Sequence, residues 1–78
     1  MSMQTIYVQL VDEGTSVYRP TEAERVGENI FKLMPTPDYD PEIEKWEYPP
    51  GSIVECNWQH LNGESVLVAV RQHVLLRG

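Results

Sequence analysis

Asn62-Gly63 divides the two longest alternating stretches of the chain, residues 52–61 and 64–71. Both positions tolerate positive φ, as a two-residue type I′ turn requires, so the pair predicts a β-hairpin. On the first arm Val54, Cys56 and Trp58 share one side, and on the second Val66, Val68 and Val70 do. Successive side chains point to opposite faces of a strand, so these two sets are expected to meet a core. A lone hairpin is marginal in water and needs further strands over its apolar face.

The rest of the chain supplies strands in short pieces. Residues 5–11 alternate, with Ile6, Val8 and Leu10 on one face and Tyr7, Gln9 and Val11 on the other. Asp12-Glu13-Gly14-Thr15 reads as the turn that follows. A second strand starts at Ser16-Val17-Tyr18-Arg19, and Pro20, which has no amide hydrogen, is expected to break pairing. Thr21 and Glu24 have capping-box spacing, yet residues 21–26 are too few for a stable helix and read as continuing strand. Gly27-Glu28-Asn29 is a tight turn, and Ile30-Phe31-Lys32-Leu33-Met34 is the next strand, with Phe31 and Leu33 on one side.

Residues 35–44 hold three prolines and several acids, which predicts the longest and most mobile irregular connection. Lys45-Trp46-Glu47-Tyr48 predicts a short strand with Trp46 and Tyr48 on one face, closed by a corner at Pro49-Pro50-Gly51. The apolar tail of residues 73–78 is expected to pack back or to meet another subunit.

At 78 residues the chain makes one domain, residues 1–78. Its single Cys56 excludes an internal disulfide, so stability must come from core burial, helped by self-association. No apolar run approaches the roughly 18 residues of a membrane span, and Met1-Ser2-Met3-Gln4 lacks the regions of a signal peptide. A cytoplasmic protein without membrane contact is expected. Six basic against twelve acidic residues give a formal charge of −6, the wrong sign for gripping phosphates, so no nucleic acid partner is expected.

Five or six short strands with no dependable helix leave exposed edges, which a chain this small removes by curling up. The expected fold is therefore all-β, a small five- to six-stranded antiparallel SH3-like barrel. The alternative is an open antiparallel sheet that forms a homodimer through a sheet edge or the C-terminal apolar tail.

Residues 6–20, Ile-Tyr-Val-Gln-Leu-Val-Asp-Glu-Gly-Thr-Ser-Val-Tyr-Arg-Pro, resemble a family of short uncharacterised bacterial proteins. Those carry a similar Asp-Glu-Gly-Thr-x-Val-aromatic-Arg-Pro signature. The likeness extends over residues 46–54, Trp-Glu-Tyr-Pro-Pro-Gly-Ser-Ile-Val. It implies no activity. The Pro-Gly corner before a strand is similar to one used in many SH3-like barrels, and bears on fold alone.

No catalytic constellation emerges. Asp12 and Glu13 are neighbours on a strand end and diverge, whereas an acid–base pair must converge on one atom. Cys56 and His60 share a side, but strand rise sets their α carbons about 13 Å apart, too far for a nucleophile and its base. Cys56 reads as a buried apolar side chain, and His60 as a surface residue. The histidines and acids are too scattered for a metal site, and the turn glycines do not form a phosphate loop, so no cofactor is expected.

Two surfaces remain as candidates for a protein partner. Tyr7 stands on the less apolar side of its strand, and Tyr18 with Arg19 follows across the turn, so the three are expected to form an outer patch. Trp46 and Trp58 are expected to supply core volume. Asp38, Asp40, Glu42 and Glu44 crowd one stretch, which reads as a solvated surface or as a face for a basic partner. The leading expectation is a non-enzymatic protein-interaction module. The alternative is an acidic inhibitor, such as a toxin-neutralising protein. A small enzyme or ligand carrier with an intersubunit site ranks last, since so small a barrel has little room for a pocket.

Overall fold

In a computed structural model the chain forms five strands and no helix among the described residues, which are 2–11 and 16–73. They are β1 Met3–Gln9, β2 Tyr18–Gly27, β3 Ile30–Leu33, β4 Ile53–Leu61 and β5 Glu64–Gln72. The turn expected at residues 12–15 and most of the tail, residues 74–78, lie outside the described residues. Each strand pairs with the next, and β1 pairs with β5, so the sheet closes as a barrel of SH3-like type. An odd number of hairpin-connected strands leaves the first and last pointing the same way. The closing seam is accordingly parallel, so the barrel is mixed and not wholly antiparallel. The seam holds only two pairs, Ile6↔Leu67 and Tyr7↔Val68.

Two inward side chains from each strand fill the barrel, as expected where a closed sheet this narrow leaves no lumen. They are Ile6 and Val8, Thr21 and Ala23, Phe31 and Leu33, Val54 and Cys56, Leu67 and Ala69, all buried. Thr21, the one polar member, donates its hydroxyl to the Met34 carbonyl at 2.6 Å, which removes the cost of burying it. On β5 the inward pair is Leu67 and Ala69; of the expected Val66, Val68 and Val70, Val68 is buried too, on the other side of the strand, and the other two are half-buried. Both faces of this strand are apolar, so alternation alone could not choose between them. The two-residue loop chooses: it sets Cys56 opposite Ala69 and Trp58 opposite Leu67. Val70 then falls at a β-bulge, where the pairing steps from Cys56↔Ala69 to Glu55↔Arg71.

Pro20 does not interrupt β2, contrary to expectation, and stays in register opposite Tyr7. The Leu10 N–H donates to the Val17 carbonyl at 2.8 Å, which makes odd-numbered β2 residues the ones that bond to β1. At an even position, Pro20 turns its nitrogen away from β1, toward a side where β3 has already ended. It needs no hydrogen there.

Irregular structure runs over residues 34–52, beyond the expected 35–44 on both sides, yet it is tied to the barrel at several points. The expected strand at residues 45–48 shrinks to a single antiparallel bridge, Leu10↔Trp46. Around it the Val11 N–H donates to the Lys45 carbonyl and the Glu47 N–H to the Gln9 carbonyl, each at 2.8 Å. This bridge covers the edge of β1 beyond the parallel seam and delivers Trp46 into the core cluster, where it is 5% exposed. Gly51, at φ 92°, turns the chain back into β4.

Asn62 and Gly63 adopt φ 52° and 82°, the type I′ geometry expected. Replacing Gly63 by valine forces a branched side chain into the left-handed region. The expected cost is about 1–2 kcal/mol, measured by urea unfolding, with the barrel retained.

Candidate functional site

The β4–β5 hairpin outruns the barrel wall. Its strands are nine residues each, whereas β3 has four and pairs with β4 only at Ile53, Val54 and Glu55. The distal half, residues 57–66, is therefore a two-stranded ribbon. This explains Trp58, which shares the inward side with Cys56 but is 65% exposed, because no wall faces it at that level. The expectation that Trp58 is core fails here, while Trp46 meets it.

The ribbon flanks Tyr7. In the β1–β2 ladder Tyr7 stands opposite Pro20 and Gln9 opposite Tyr18, so all four side chains share the outer face. Tyr7 and Tyr18 line one groove of about 580 Å³, whose other wall is Leu61, Asn62, Glu64 and Val66 of the ribbon. A second furrow of about 380 Å³, lined by Trp58, Ser65 and Gln4, shares Tyr7 and Val66 with the first. The tyrosine patch expected from sequence thus has a concave shape that alternation within one strand could not reveal.

Arg19 does not join it. As the neighbour of Tyr18 along β2 it points to the opposite face, where it meets Glu44. Its Nε donates to Glu44 Oε1 at 2.9 Å and to Oε2 at 3.0 Å, and Nη2 also donates to Oε2. The Trp46 indole Nε1 donates to Glu44 Oε1 at 2.6 Å. One carboxylate therefore ties the long connection to β2 and satisfies the polar end of the buried ring. Tyr39 adds an edge-on contact to Trp46, with centroids 4.9 Å apart and planes at 70°.

The acidic stretch is divided by this arrangement. Asp40 serves its own loop: its carbonyl accepts the N–H groups of Ile43 and Glu44, and its carboxylate accepts that of Glu42 at 2.9 Å. Asp38 and Glu42 remain exposed. Two of the four candidate carboxylates, Asp40 and Glu44, are thus committed to internal bonds.

Cys56 is buried, and burial pushes its thiol up to about 11, which suppresses the reactive thiolate. His60 pairs across the ribbon with Ser65, Nε2 to Oγ at 3.3 Å, a contact that the sequence reading missed. Counting back from the two-residue turn would have found it. Both residues are exposed on the ribbon. On the other end of the hairpin Glu55 meets Arg71 at 3.3 Å and His73 at 3.2 Å, a surface cluster of low energetic weight. Among the described residues no group of three or more His, Cys, Asp or Glu side chains could hold a metal ion, and no helix is long and apolar enough to cross a membrane. No family model, curated protein or solved structure matches this chain, so the resemblance over residues 6–20 and 46–54 stands on those residues alone.

The hydrogen bond from Arg19 holds the Glu44 carboxyl below its ordinary value of 4.5, with a further contribution from the Trp46 indole and opposition from burial. A carboxyl with a lower pKa in the folded state stabilises the fold above the unfolded value and loses that contribution as pH falls through the folded one. Acidification from neutral pH to below 4.5 is expected to lower unfolding free energy, with a shallower fall in Glu44→Gln. Glu44→Ala leaves the indole N–H without its acceptor and is expected to cost about 1–3 kcal/mol, read by urea unfolding followed through tryptophan fluorescence. Alkylation of Cys56 at mildly alkaline pH should proceed only through opening of the barrel, so its rate should rise with denaturant. Fast labelling of the native protein would contradict the buried placement.

Proposed function

We propose that the chain is a non-enzymatic protein-interaction module that works in the cytoplasm and takes a segment of a protein partner into the groove lined by Tyr7 and Tyr18. The observation that carries this reading is the groove itself, two outward tyrosines walled by a ribbon that projects from the barrel. Tyrosine offers large contact area at small entropic cost, and aromatic anchors in a concavity dominate interface energies. Among the described residues the groove lining includes one carboxylate, Glu64, and no cationic side chain. Together with the net charge of −6, that favours a partner segment with a basic residue.

The alternative of an acidic inhibitor draws on Asp38, Asp40, Glu42 and Glu44. It is less favoured because Asp40 and Glu44 already accept internal bonds. Catalysis by the Ser65–His60 couple is less favoured too, since such a couple needs an orienting third group and a sheltered site. In the signature shared with the bacterial family, Val17 and Tyr18 would shape the groove, Arg19 would anchor the long connection, and Pro20 would guard the free edge of β2.

Peptides selected on the protein from a displayed random library provide the test. Binders should shift the ring resonances of Tyr7 and Tyr18, and Tyr18→Ala should weaken them by about 1–3 kcal/mol, at least several-fold in Kd. Selected binders that map to Asp38 and Glu42, and weaken steeply with salt, would replace this reading with the acidic one.

A further inference from the structure

We propose that the free edge of β4 along residues 57–61 pairs antiparallel with the same edge of a second copy of this chain, giving a twofold dimer. The backbone polarity of β4 is fixed at three points. The Cys56 N–H donates to the Asn29 carbonyl on the β3 side at 2.9 Å, while the Ile53 carbonyl accepts the His73 N–H on the β5 side. Leu61 opposite Glu64 closes the two-residue turn and so also bonds toward β5. Even-numbered residues of β4 therefore direct their N–H and C=O groups toward the β3 side. Beyond Cys56 that side has no strand among the described residues, because β3 begins at Ile30, which stands opposite Glu55. The backbone groups of Trp58 and His60 form an open template for one more strand.

Two other edges of the barrel are guarded. The nitrogen of Pro20 guards β2, and the bridge through Trp46 covers the far end of β1. Asn57-Trp58-Gln59-His60-Leu61 carries no such guard. It has no proline, glycine, lysine or acid, and its pairing with β5 stays regular up to the turn.

The occupant follows from charge and symmetry. A strand that pairs with its own copy about a twofold must be self-complementary, and in a chain of charge −6 it must keep acids apart. With Gln59 opposite its own copy on the axis, Trp58 faces His60 of the second copy and Asn57 faces Leu61. The nearest acid, Glu55, then faces Gly63, so no acid opposes an acid. This register also makes Trp58 and His60 the hydrogen-bonded pairs, as their outward-pointing backbone requires, and adds ~four intermolecular bonds. The two tryptophan side chains, 65% exposed in the single chain, become covered at the same time.

A contact of this size is small beside a permanent dimer interface. Half-dimerisation is expected at about 0.1 mM, within the span of weak associations. Sedimentation of the full chain up to about 1 mM should show mass rising from one copy toward two. In the same series the backbone amides of Trp58 and His60 should exchange with deuterium more slowly as concentration rises. That of Gln59, already bonded toward β5, should not change. His60→Pro removes a hydrogen the β5 ladder does not use, and Trp58→Lys sets a charge on the edge. Both should keep the fluorescence of buried Trp46 and remain single copies throughout. A wild-type chain that stays a single copy at the top concentration overturns the proposal. So does a dimer that forms equally in both variants, or one that leaves the Trp58 and His60 amides unprotected. Because His60 lines neither the tyrosine groove nor the furrow beside it, loss of the dimer in His60→Pro is separable from loss of groove binding.

Discussion

Closure of a five-stranded meander through a parallel seam of two residue pairs is the constraint on which the rest of this molecule depends. Five consecutive strands can be closed only by pairing two that run the same way, and parallel pairing cannot be extended by a short hairpin. Ile6↔Leu67 and Tyr7↔Val68 meet this demand at minimum length. Strands twist, so β1 and β5 part on either side of the seam, and each parting must be filled or left open. On one side the Trp46 bridge fills it. On the other the ribbon stands away from β1 and leaves the furrows around Tyr7.

The filled side rests on Glu44. An irregular connection of this length ordinarily costs entropy and sheds little water, which is why prolines and acids there read as a mobile loop. Here a buried indole supplies the apolar gain, and one carboxylate satisfies that indole while gripping Arg19 across the chain. The ion pair by itself is part-exposed and worth little. Its weight comes from holding a hydrogen-bond acceptor where the Trp46 ring needs one. Charge that looked available for a partner is thus used for folding.

The open side carries both surfaces proposed for binding. Because β3 is short, the hairpin projects, and the projection creates both the wall of the tyrosine groove and an unguarded backbone edge. The groove presents side chains and the edge presents main chain, so the two surfaces are chemically different and can act independently. Both follow from one mismatch in strand length, four residues in β3 against nine in its neighbour.

Local chemistry alone determined a good deal: the type I′ turn at Asn62-Gly63, the alternation of β1 with Ile6 and Val8 inward, the Phe31 and Leu33 face of β3, and the all-β class. Each depends on residues close in sequence, where backbone propensity and period-two burial act directly. Even the β5 register was legible, since a two-residue loop sets Cys56 opposite Ala69 whatever the hydropathy of Val66, Val68 and Val70. What only the tertiary structure decided is which inward positions have a wall in front of them. Trp46 and Trp58 are equally apolar and equally placed by alternation, yet one is sealed by Tyr39 and Glu44 while the other looks out past the end of β3. Arg19, Asp40 and Glu44 were likewise indistinguishable from free surface charge until distant segments met. Burial is a property of what lies opposite, and that is set by strand lengths and closure across the whole chain, not by the residue or its neighbours.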